Sequence, residues 1–224
     1  MPDFGSKAYW DERYKTGGAN MFDWYMDYDG LKPSLRDVLN GQPGRTILIV
    51  GCGNSPVGET LYDEGYQNVT SIDNSQACIS LMKTRSLTTR PGLKYHVMDA
   101  ANMFTLTREE FDLVLDKALL DSTLCGKEPR GIFTKICSEV ARVLKPGGTF
   151  ISFSYAPPEE RDDFFRDSAH LWKMSVFTIT KPSLQDIVEH IVEDFAPKPY
   201  DPEANIDPES VHFIYRFEKA PREV

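Results

Sequence analysis

The chain has 224 residues, of which 41% are hydrophobic and 26% are charged, a composition typical of one globular domain with its own core. Its formal net charge is −9, which disfavours binding to a nucleic-acid backbone and favours a basic partner. No apolar run approaches the ~20 residues that cross a bilayer, and the first residues lack the basic and apolar blocks of a signal peptide. We therefore expect a cytoplasmic protein and no membrane partner.

The first 30 residues carry aromatic side chains at helical spacing. Trp10 and Tyr14 lie four residues apart, so both can face one ligand, and Phe22 adds a third ring. Arg13 is a cation that can meet a carboxylate. Since a short N-terminal helix is marginally stable alone, we expect residues 1–30 to form a lid that becomes ordered over a ligand.

A buried strand is predicted at residues 46–50, followed directly by the Gly-x-Gly turn of Gly51 and Gly53. Glycine has no Cβ, so the backbone can turn sharply there and approach a ligand closely. A second strand at 69–72 is followed by Asp73, whose carboxylate can accept hydrogen bonds from both hydroxyls of a ribose. Together these features predict a nucleotide-like ligand at the carboxyl ends of parallel strands.

The Gly-x-Gly turn alone fits either NAD or S-adenosylmethionine. The dinucleotide fingerprint has a third glycine three residues after the second, where this chain has Pro56. Proline is tolerated in the first turn of a helix, but the geometry that holds a pyrophosphate is not reproduced.

Further strands are predicted at 94–98, 111–116 and 149–154, the last preceded by Leu-Lys-Pro-Gly-Gly at 144–148. The charged run at 159–163 predicts a solvated helix start. Between the fourth and fifth strands, apolar residues recur at the spacing of one helix face: Ile132, Phe133, Ile136, Val140, Val143 and Leu144. This alternation of strands and helices predicts βαβ units and a parallel sheet.

The C-terminal part departs from this alternation. Residues 173–180 and 211–217 alternate apolar and polar side chains, as edge strands do. Between them we expect a helix at 183–194 and a proline- and acid-rich loop or flap at 196–209. Residues 181–210 therefore form a long insertion before the last strand.

The four cysteines are scattered without Cys-x-x-Cys spacing. Reduced intracellular thiols are therefore the favoured interpretation, and no bound metal is expected.

These features resemble the seven-strand, S-adenosylmethionine-dependent methyltransferases over roughly residues 7–218. The resemblance rests on motifs in a fixed order: Val50-Gly-Cys-Gly53, Asp73, Asp99, Phe111-Asp112 and Leu144-Lys-Pro-Gly-Gly148. It implies a Rossmann-like α/β fold within a single domain of residues 1–224. The expected sheet is mostly parallel, with helices on both faces and an antiparallel C-terminal strand.

The resemblance also implies roles for individual residues. In that family the glycine turn lies under the methionine moiety, the acid after the second strand holds the ribose, and the acid after the third strand meets the adenine amine. By position, the last two roles fall to Asp73 and Asp99. The residues expected to bind the cofactor S-adenosylmethionine are Trp10, Arg13, Tyr14, Phe22, Gly51, Cys52, Gly53, Asp73, Asn74, Asp99, Ala100 and Lys117.

Three blocks resemble a narrower group, the lysine methyltransferases that act on translation elongation factor 1-alpha, such as methyltransferase-like protein 13 and elongation factor 1-alpha lysine methyltransferase 4. These blocks lie at residues 9–14, 22–25 and 116–121. The group usually has a glycine where this chain has Ala118, and the insertion at 181–210 is longer than expected. The resemblance implies a protein substrate with an accessible lysine.

Methyl transfer from a sulfonium is an in-line displacement, so the enzyme mainly aligns the methyl carbon with a neutral nucleophile and excludes water. A lysine amine must first lose its proton, which at pH 7 costs about 4 to 5 kcal/mol. Burial in an aromatic channel would offset part of this by disfavouring the charged form. Asp116 and Asp121 are the candidate catalytic residues, assigned to orienting the amine, and Lys117 follows the strand toward which the methyl group should point.

Three classes of function remain: a protein lysine methyltransferase, a small-molecule or RNA methyltransferase, and a non-catalytic partner protein with the same fold. An Asn-Pro-Pro-Tyr-type block after the fourth strand would suggest methylation of an amide or base nitrogen, and this chain has none there. No basic stripe interleaved with aromatic residues is present either, which disfavours nucleic acid. The intact set of Gly51, Gly53, Asp73 and Asp99 disfavours the non-catalytic class.

Overall fold

The centre of the protein is one mixed β-sheet. A computed structural model describes residues 2–17, 21–181 and 196–222. Its strands are β1 (Thr46–Val50), β2 (Asn68–Asp73), β3 (Lys94–Val97), β4 (Phe111–Lys117), β5 (Leu144–Ser154), β6 (Lys173–Thr180), β7 (Lys198–Pro199) and β8 (Val211–Glu218). They lie side by side in the order β3-β2-β1-β4-β5-β8-β6-β7. The first five are parallel, and β8 runs antiparallel to β5.

Helices cover both faces of the sheet. They are α1 (Lys7–Gly17), α2 (Tyr28–Leu39), α3 (Val57–Asp63), α4 (Gln76–Ser86), α5 (Leu119–Thr123), α6 (Pro129–Val143) and α7 (Pro158–Phe165). Because side chains alternate along a strand, Ile47 and Ile49 of β1 share a core with residues of α2, α3 and α4. Leu48 and Val50 face the opposite way and share a second core with residues of α6 and α7. The predicted fold class is confirmed.

The helix predicted between the fourth and fifth strands is α6. Phe133, Ile136, Val140 and Val143 are all buried at 2% exposure or less, so the predicted apolar face packs on the sheet. Leu144 is buried as well but begins β5.

The edge-strand prediction for residues 211–217 is wrong. β8 lies between β5 and β6 and pairs with both, and Val211 to Tyr215 are buried without interruption. A polar residue in the alternation, His212, is only 6% exposed. An alternating pattern indicates which faces a strand presents and does not fix its position within the sheet.

The insertion before the last strand is partly described. The stretch predicted as a loop contains β7, which pairs with β6 at Phe177 and Thr178, and a short 3-10 helix at Pro208–Ser210. The helix predicted at 183–194 lies outside the described residues.

Two sequence predictions concern the whole chain. No helix in the described part of the chain has the length and apolarity needed to span a bilayer. The four cysteines, Cys52, Cys78, Cys125 and Cys137, carry free thiols.

Candidate active site

A cavity of about 280 Å³ opens at the edge of the sheet where the parallel strands end. The turns after β1, β2, β3 and β4 form its floor, and α1 covers it. The predicted site residues that line it are Trp10, Tyr14, Phe22, Gly51, Cys52, Gly53, Asp73, Asn74, Asp99, Ala100, Asp116 and Lys117. Arg13 and Asp121 are the predicted site residues that do not.

The turn after β1 requires its glycines. Gly51 and Gly53 have φ values of +59° and +53°, a backbone conformation that residues other than glycine rarely adopt. A Cβ on Gly53 would lie 2.8 Å from the Tyr14 hydroxyl, and one on Gly51 would lie 2.8 Å from the Leu119 side chain. The absence of a Cβ at Gly51 and Gly53 therefore leaves room for a ligand beside the turn. It also lets the Tyr14 hydroxyl lie close to Gly53.

Asp73 is held at the end of β2 by backbone groups. One carboxylate oxygen accepts the N–H of Gly53 and the other accepts the N–H of Ser75, both at 2.9 Å. Burial raises the pKa of Asp73. Each oxygen has two lone pairs, so the carboxylate retains acceptor capacity toward the cavity, as a ribose diol requires.

Asp99 is exposed at the β3 side of the cavity. It accepts the N–H of Ala101 at 2.8 Å, which fixes the turn. Met98 and Ala100 are buried on either side of it and give this end of the cavity an apolar wall.

The described residues of the predicted lid make polar and aromatic contacts with each other and with α4. Ser75, at the start of α4, donates to Asp11 of α1 at 2.5 Å. The rings of Trp10 and Tyr14 stack with centroids 5.8 Å apart, and Trp10 donates to the carbonyl of Phe4 at 2.7 Å. No residue of α1 is buried, so the helix has little apolar packing of its own.

We expect amide hydrogen exchange in residues 7–17 and 21–25 to slow when S-adenosylmethionine is added. A helix without buried residues opens readily, and a ligand bound beneath it adds the missing contacts. Exchange followed by mass spectrometry checks this, with buried α6 as an internal reference that should change little. Equal exchange of the lid with and without the cofactor would contradict its role as a cover.

Arg13 does not line the cavity. Its guanidinium lies 4.6 Å from the centre of the Phe22 ring, and it donates to the Tyr9 hydroxyl at 3.4 Å. Cation–π attraction accounts for this position. The predicted contact of Arg13 with a carboxylate therefore stays a prediction.

Asp116 and Lys117 end β4 inside the cavity. Asp116 is fully buried and accepts the Leu119 N–H at 2.8 Å and the Ser152 hydroxyl at 2.7 Å. Burial raises the pKa of Asp116 to about 7. Lys117 forms an ion pair with Asp23; burial lowers the pKa of Lys117 to about 7, while the neighbouring carboxylate favours its charged form.

Asp116→Asn should stabilise the protein more at about pH 8 than at about pH 5. The folded pKa of Asp116, about 7, lies above its usual 3.8, so the folded state binds more protons between these values and loses stability as pH rises through them. The full span is on the order of 4 kcal/mol, and asparagine does not titrate. Urea unfolding at both pH values checks this, and an equal difference at both would contradict the raised pKa.

Asp121 is the centre of a buried network. Its carboxylate accepts the hydroxyls of Tyr25 at 2.6 Å and Ser154 at 2.8 Å, and the N–H of Tyr155 at 3.2 Å. Arg161 donates from Nε at 3.1 Å and Nη2 at 2.9 Å. These partners come from the N-terminal segment, the end of β5 and α7. Asp121 therefore holds these parts of the chain together.

This network changes two interpretations. The run 159–163 does begin α7, but Arg161 is only 4% exposed, because the helix turns it inward to neutralise Asp121. Asp121 does not line the cavity, whereas Asp116 does, so the position of Asp121 suits a positioning residue better than direct contact with an amine.

Asp23 and Trp24 are among the residues that line the cavity and that sequence reasoning did not assign. Both lie in the block 22–25, whose aromatic residues drew attention to it. The sequence contained a signal for Asp23, because it is an acidic residue within a run of aromatic residues. A carboxylate in apolar surroundings needs a cation nearby.

Cys52, Asp73 and Cys78 form the one group of potential metal ligands within the described residues, with one ligand atom from each lying within 4.8 Å of the others. The cysteines are 26 positions apart (78 − 52) in the sequence, so spacing gives no hint of it. A hydrogen bond with Cys78, together with burial, raises the pKa of the Cys52 thiol. This favours protonated thiols over the thiolates that bind metal.

Comparison with known proteins identifies the group to which the chain is similar. A family model described as "Methyltransferase domain" matches residues 48–152. EEF1A lysine methyltransferase 4 of Mus musculus is 34% identical over 175 residues, which cover 74% of this chain and 67% of that protein. The eEF1A lysine and N-terminal methyltransferase of Bos taurus is 36% identical over 156 residues, which cover 69% of this chain. The chain spans about a fifth, 22%, of the length of that longer relative.

Solved structures share the fold at low sequence identity. An S-adenosylmethionine-dependent methyltransferase from Methanosarcina mazei has a TM-score of 0.62 and 17% identity, over 90% of this chain and 100% of that one. The N-methyltransferase NodS from Bradyrhizobium japonicum, solved with S-adenosyl-L-homocysteine, has a TM-score of 0.63 and 15% identity, over 94% of this chain and 98% of that one.

Proposed function

Since the chain belongs to the family of S-adenosylmethionine-dependent methyltransferases, we propose that it methylates a lysine side chain of a basic protein. Translation elongation factor 1-alpha is the leading candidate substrate, and the cytoplasm is the expected location. The observation that carries this proposal is the 34% identity to EEF1A lysine methyltransferase 4, extending over 67% of that relative. The block 116–121 suggested the same group, and its residues 116–119 line the cavity.

The cavity has the features that the cofactor requires. Gly53 has no Cβ, so a ligand can approach the backbone of this turn closely. A Cβ at this position would collide with Tyr14. Beside this turn, the carboxylate oxygens of Asp73 can each accept a further hydrogen bond. When bound there, the cofactor supplies an electrophilic methyl group.

The chain's own residues align the acceptor and exclude water. Trp10, Tyr14 and Trp24 line the cavity, and burial of the amine among them disfavours its charged ammonium form. A nitrogen can accept a methyl group only through its lone pair, so an amine held in the cavity must have lost its proton beforehand. We assign orientation of the amine to Asp116, and we assign Asp121 to holding the surrounding segments in place.

An acidic surface supports a basic partner. It consists of exposed residues on α7 and on the segment after β7: Glu159, Glu160, Asp162, Asp163, Asp201, Glu203, Asp207 and Glu209. The two groups adjoin, because Tyr200 donates to Glu159 at 2.6 Å. Arg161 connects α7 to the Asp121 network. This surface would speed encounter with a positively charged protein, an effect that should fade as salt rises.

The proposal is tested with radiolabelled S-adenosylmethionine and a fractionated cell lysate. We expect label in a protein band, with the methyl group on a lysine when the band is analysed by mass spectrometry. Label confined to RNA or a small molecule would replace the lysine assignment with the second class of function. Cofactor binding without transfer to any fraction would favour the non-catalytic class.

A further inference from the structure

The order of the strands gives the cavity a direction. Asp99 follows β3, Asp73 ends β2, Gly51 follows β1 and Lys117 ends β4, and these strands lie side by side as β3-β2-β1-β4. The β3 end has the apolar wall of Met98 and Ala100, and the β4 end has the partly buried ion pair of Lys117 and Asp23. A ligand with its ribose at Asp73 therefore finds apolar surroundings on one side and charged groups on the other. Adenine suits the first and a zwitterionic amino-acid group suits the second.

One carboxylate oxygen at the β4 end has no partner. Both oxygens of Asp116 accept hydrogen bonds within the protein. One oxygen of Asp23 pairs with Lys117, and the other, Oδ2, is buried without a hydrogen-bond partner. A buried polar atom left unpaired is unfavourable. Among the described residues that line the cavity, Asp23 thus has a carboxylate oxygen whose capacity to accept a hydrogen bond is unused by the protein.

Asp23 is held beside the glycine turn by its neighbours. The N–H of Phe22 donates to the Asn54 side chain at 3.2 Å, which ties this segment to the turn after β1. Lys117 donates to the carbonyl of Met26 at 2.9 Å as well as pairing with Asp23. Since Val50 pairs with Asp116 in the sheet, the next residues, Gly51 and Lys117, are neighbours. The carboxylate of Asp23 is therefore held beside the glycine turn that follows β1.

We propose that Asp23 binds the α-ammonium group of the cofactor's methionine moiety through Oδ2, with Lys117 as the positioning residue. The chemistry is a charge-assisted hydrogen bond from an ammonium group to a carboxylate. Because Lys117 pairs with the other carboxylate oxygen, it limits the rotation of the Asp23 side chain. This inference goes beyond the proposed lysine substrate, because it concerns the cofactor alone.

The test compares ligands with and without the amino-acid group. Calorimetry measures the affinities of wild type and Asp23→Asn for S-adenosylhomocysteine and for 5′-methylthioadenosine, which lacks the ammonium group. We expect Asp23→Asn to weaken S-adenosylhomocysteine binding roughly 10- to 100-fold and to leave 5′-methylthioadenosine binding within about twofold. The matched control is Asp27→Asn, an exposed residue at the start of α2 that does not line the cavity, and it should change neither affinity.

Each other outcome would overturn the assignment. Unchanged binding of S-adenosylhomocysteine would place the ammonium group elsewhere, and a raised KM for the protein substrate in that case would place Asp23 on the substrate side. Equal weakening of both ligands would show a general loss of the cavity. Because 5′-methylthioadenosine binding reports a folded cavity and no methyl acceptor is used, failure here is distinct from failure of the lysine proposal.

Discussion

Arg161→Met should lower the free energy of unfolding by about 3 to 5 kcal/mol, because it leaves a buried carboxylate without its cation. The side chains of Arg161 and Asp121 are only 5% and 6% exposed. Water therefore cannot replace the lost guanidinium. Methionine retains much of the apolar stem, so the change reports mainly the charge and its hydrogen bonds. Urea unfolding followed by circular dichroism measures the effect.

The matched control is Arg130→Met. Arg130 also pairs with an aspartate, Asp167, but their side chains are 53% and 39% exposed, so the expected loss is below about 1 kcal/mol. Adding Asp121→Asn to Arg161→Met should restore part of the stability by removing the unpaired charge. A loss for Arg161→Met no larger than that of the control would contradict the account of the network.

Asp73→Ala should weaken S-adenosylmethionine binding by about 1.5 to 3 kcal/mol, the range for hydrogen bonds to a charged group. The substitution also removes the acceptor for the N–H of Gly53 and Ser75, which shape the cavity. Isothermal calorimetry on a variant shown to be folded measures the affinity.

The control is Asp63→Ala on α3. Asp63 is 51% exposed and pairs with Arg90, and it does not line the cavity, so the affinity should not change. A folded Asp73→Ala protein with wild-type affinity would sink the assignment of Asp73 to the ribose.

The location of the site could be predicted because its signals are local. Gly51, Asp73, Asp99 and Lys117 each stand at or just after a strand whose apolar run is visible in the sequence. The carboxyl ends of parallel strands meet at one edge, so these residues had to converge. Fold class and cofactor followed from the same few positions.

The rest of the site depends on contacts between distant segments. Tyr25 and Asp121 are separated by 96 positions and Arg161 and Asp121 by 40, so spacing could not reveal that Asp121 is enclosed by protein groups. Arg13 carried a charge suited to a carboxylate, but the neighbouring Phe22 ring determines where it lies. The interior position of β8 depends on how the insertion returns the chain between β5 and β6.

The most direct test of lysine methylation uses purified elongation factor 1-alpha, S-adenosylmethionine and this protein, with peptide mass spectrometry of the product. We predict that a lysine gains one or more methyl groups. Substitution of that lysine by arginine should abolish the gain, and Asp73→Ala should slow it. An unmodified elongation factor 1-alpha, with no protein in a whole lysate labelled by an enzyme that binds the cofactor normally, would contradict the account.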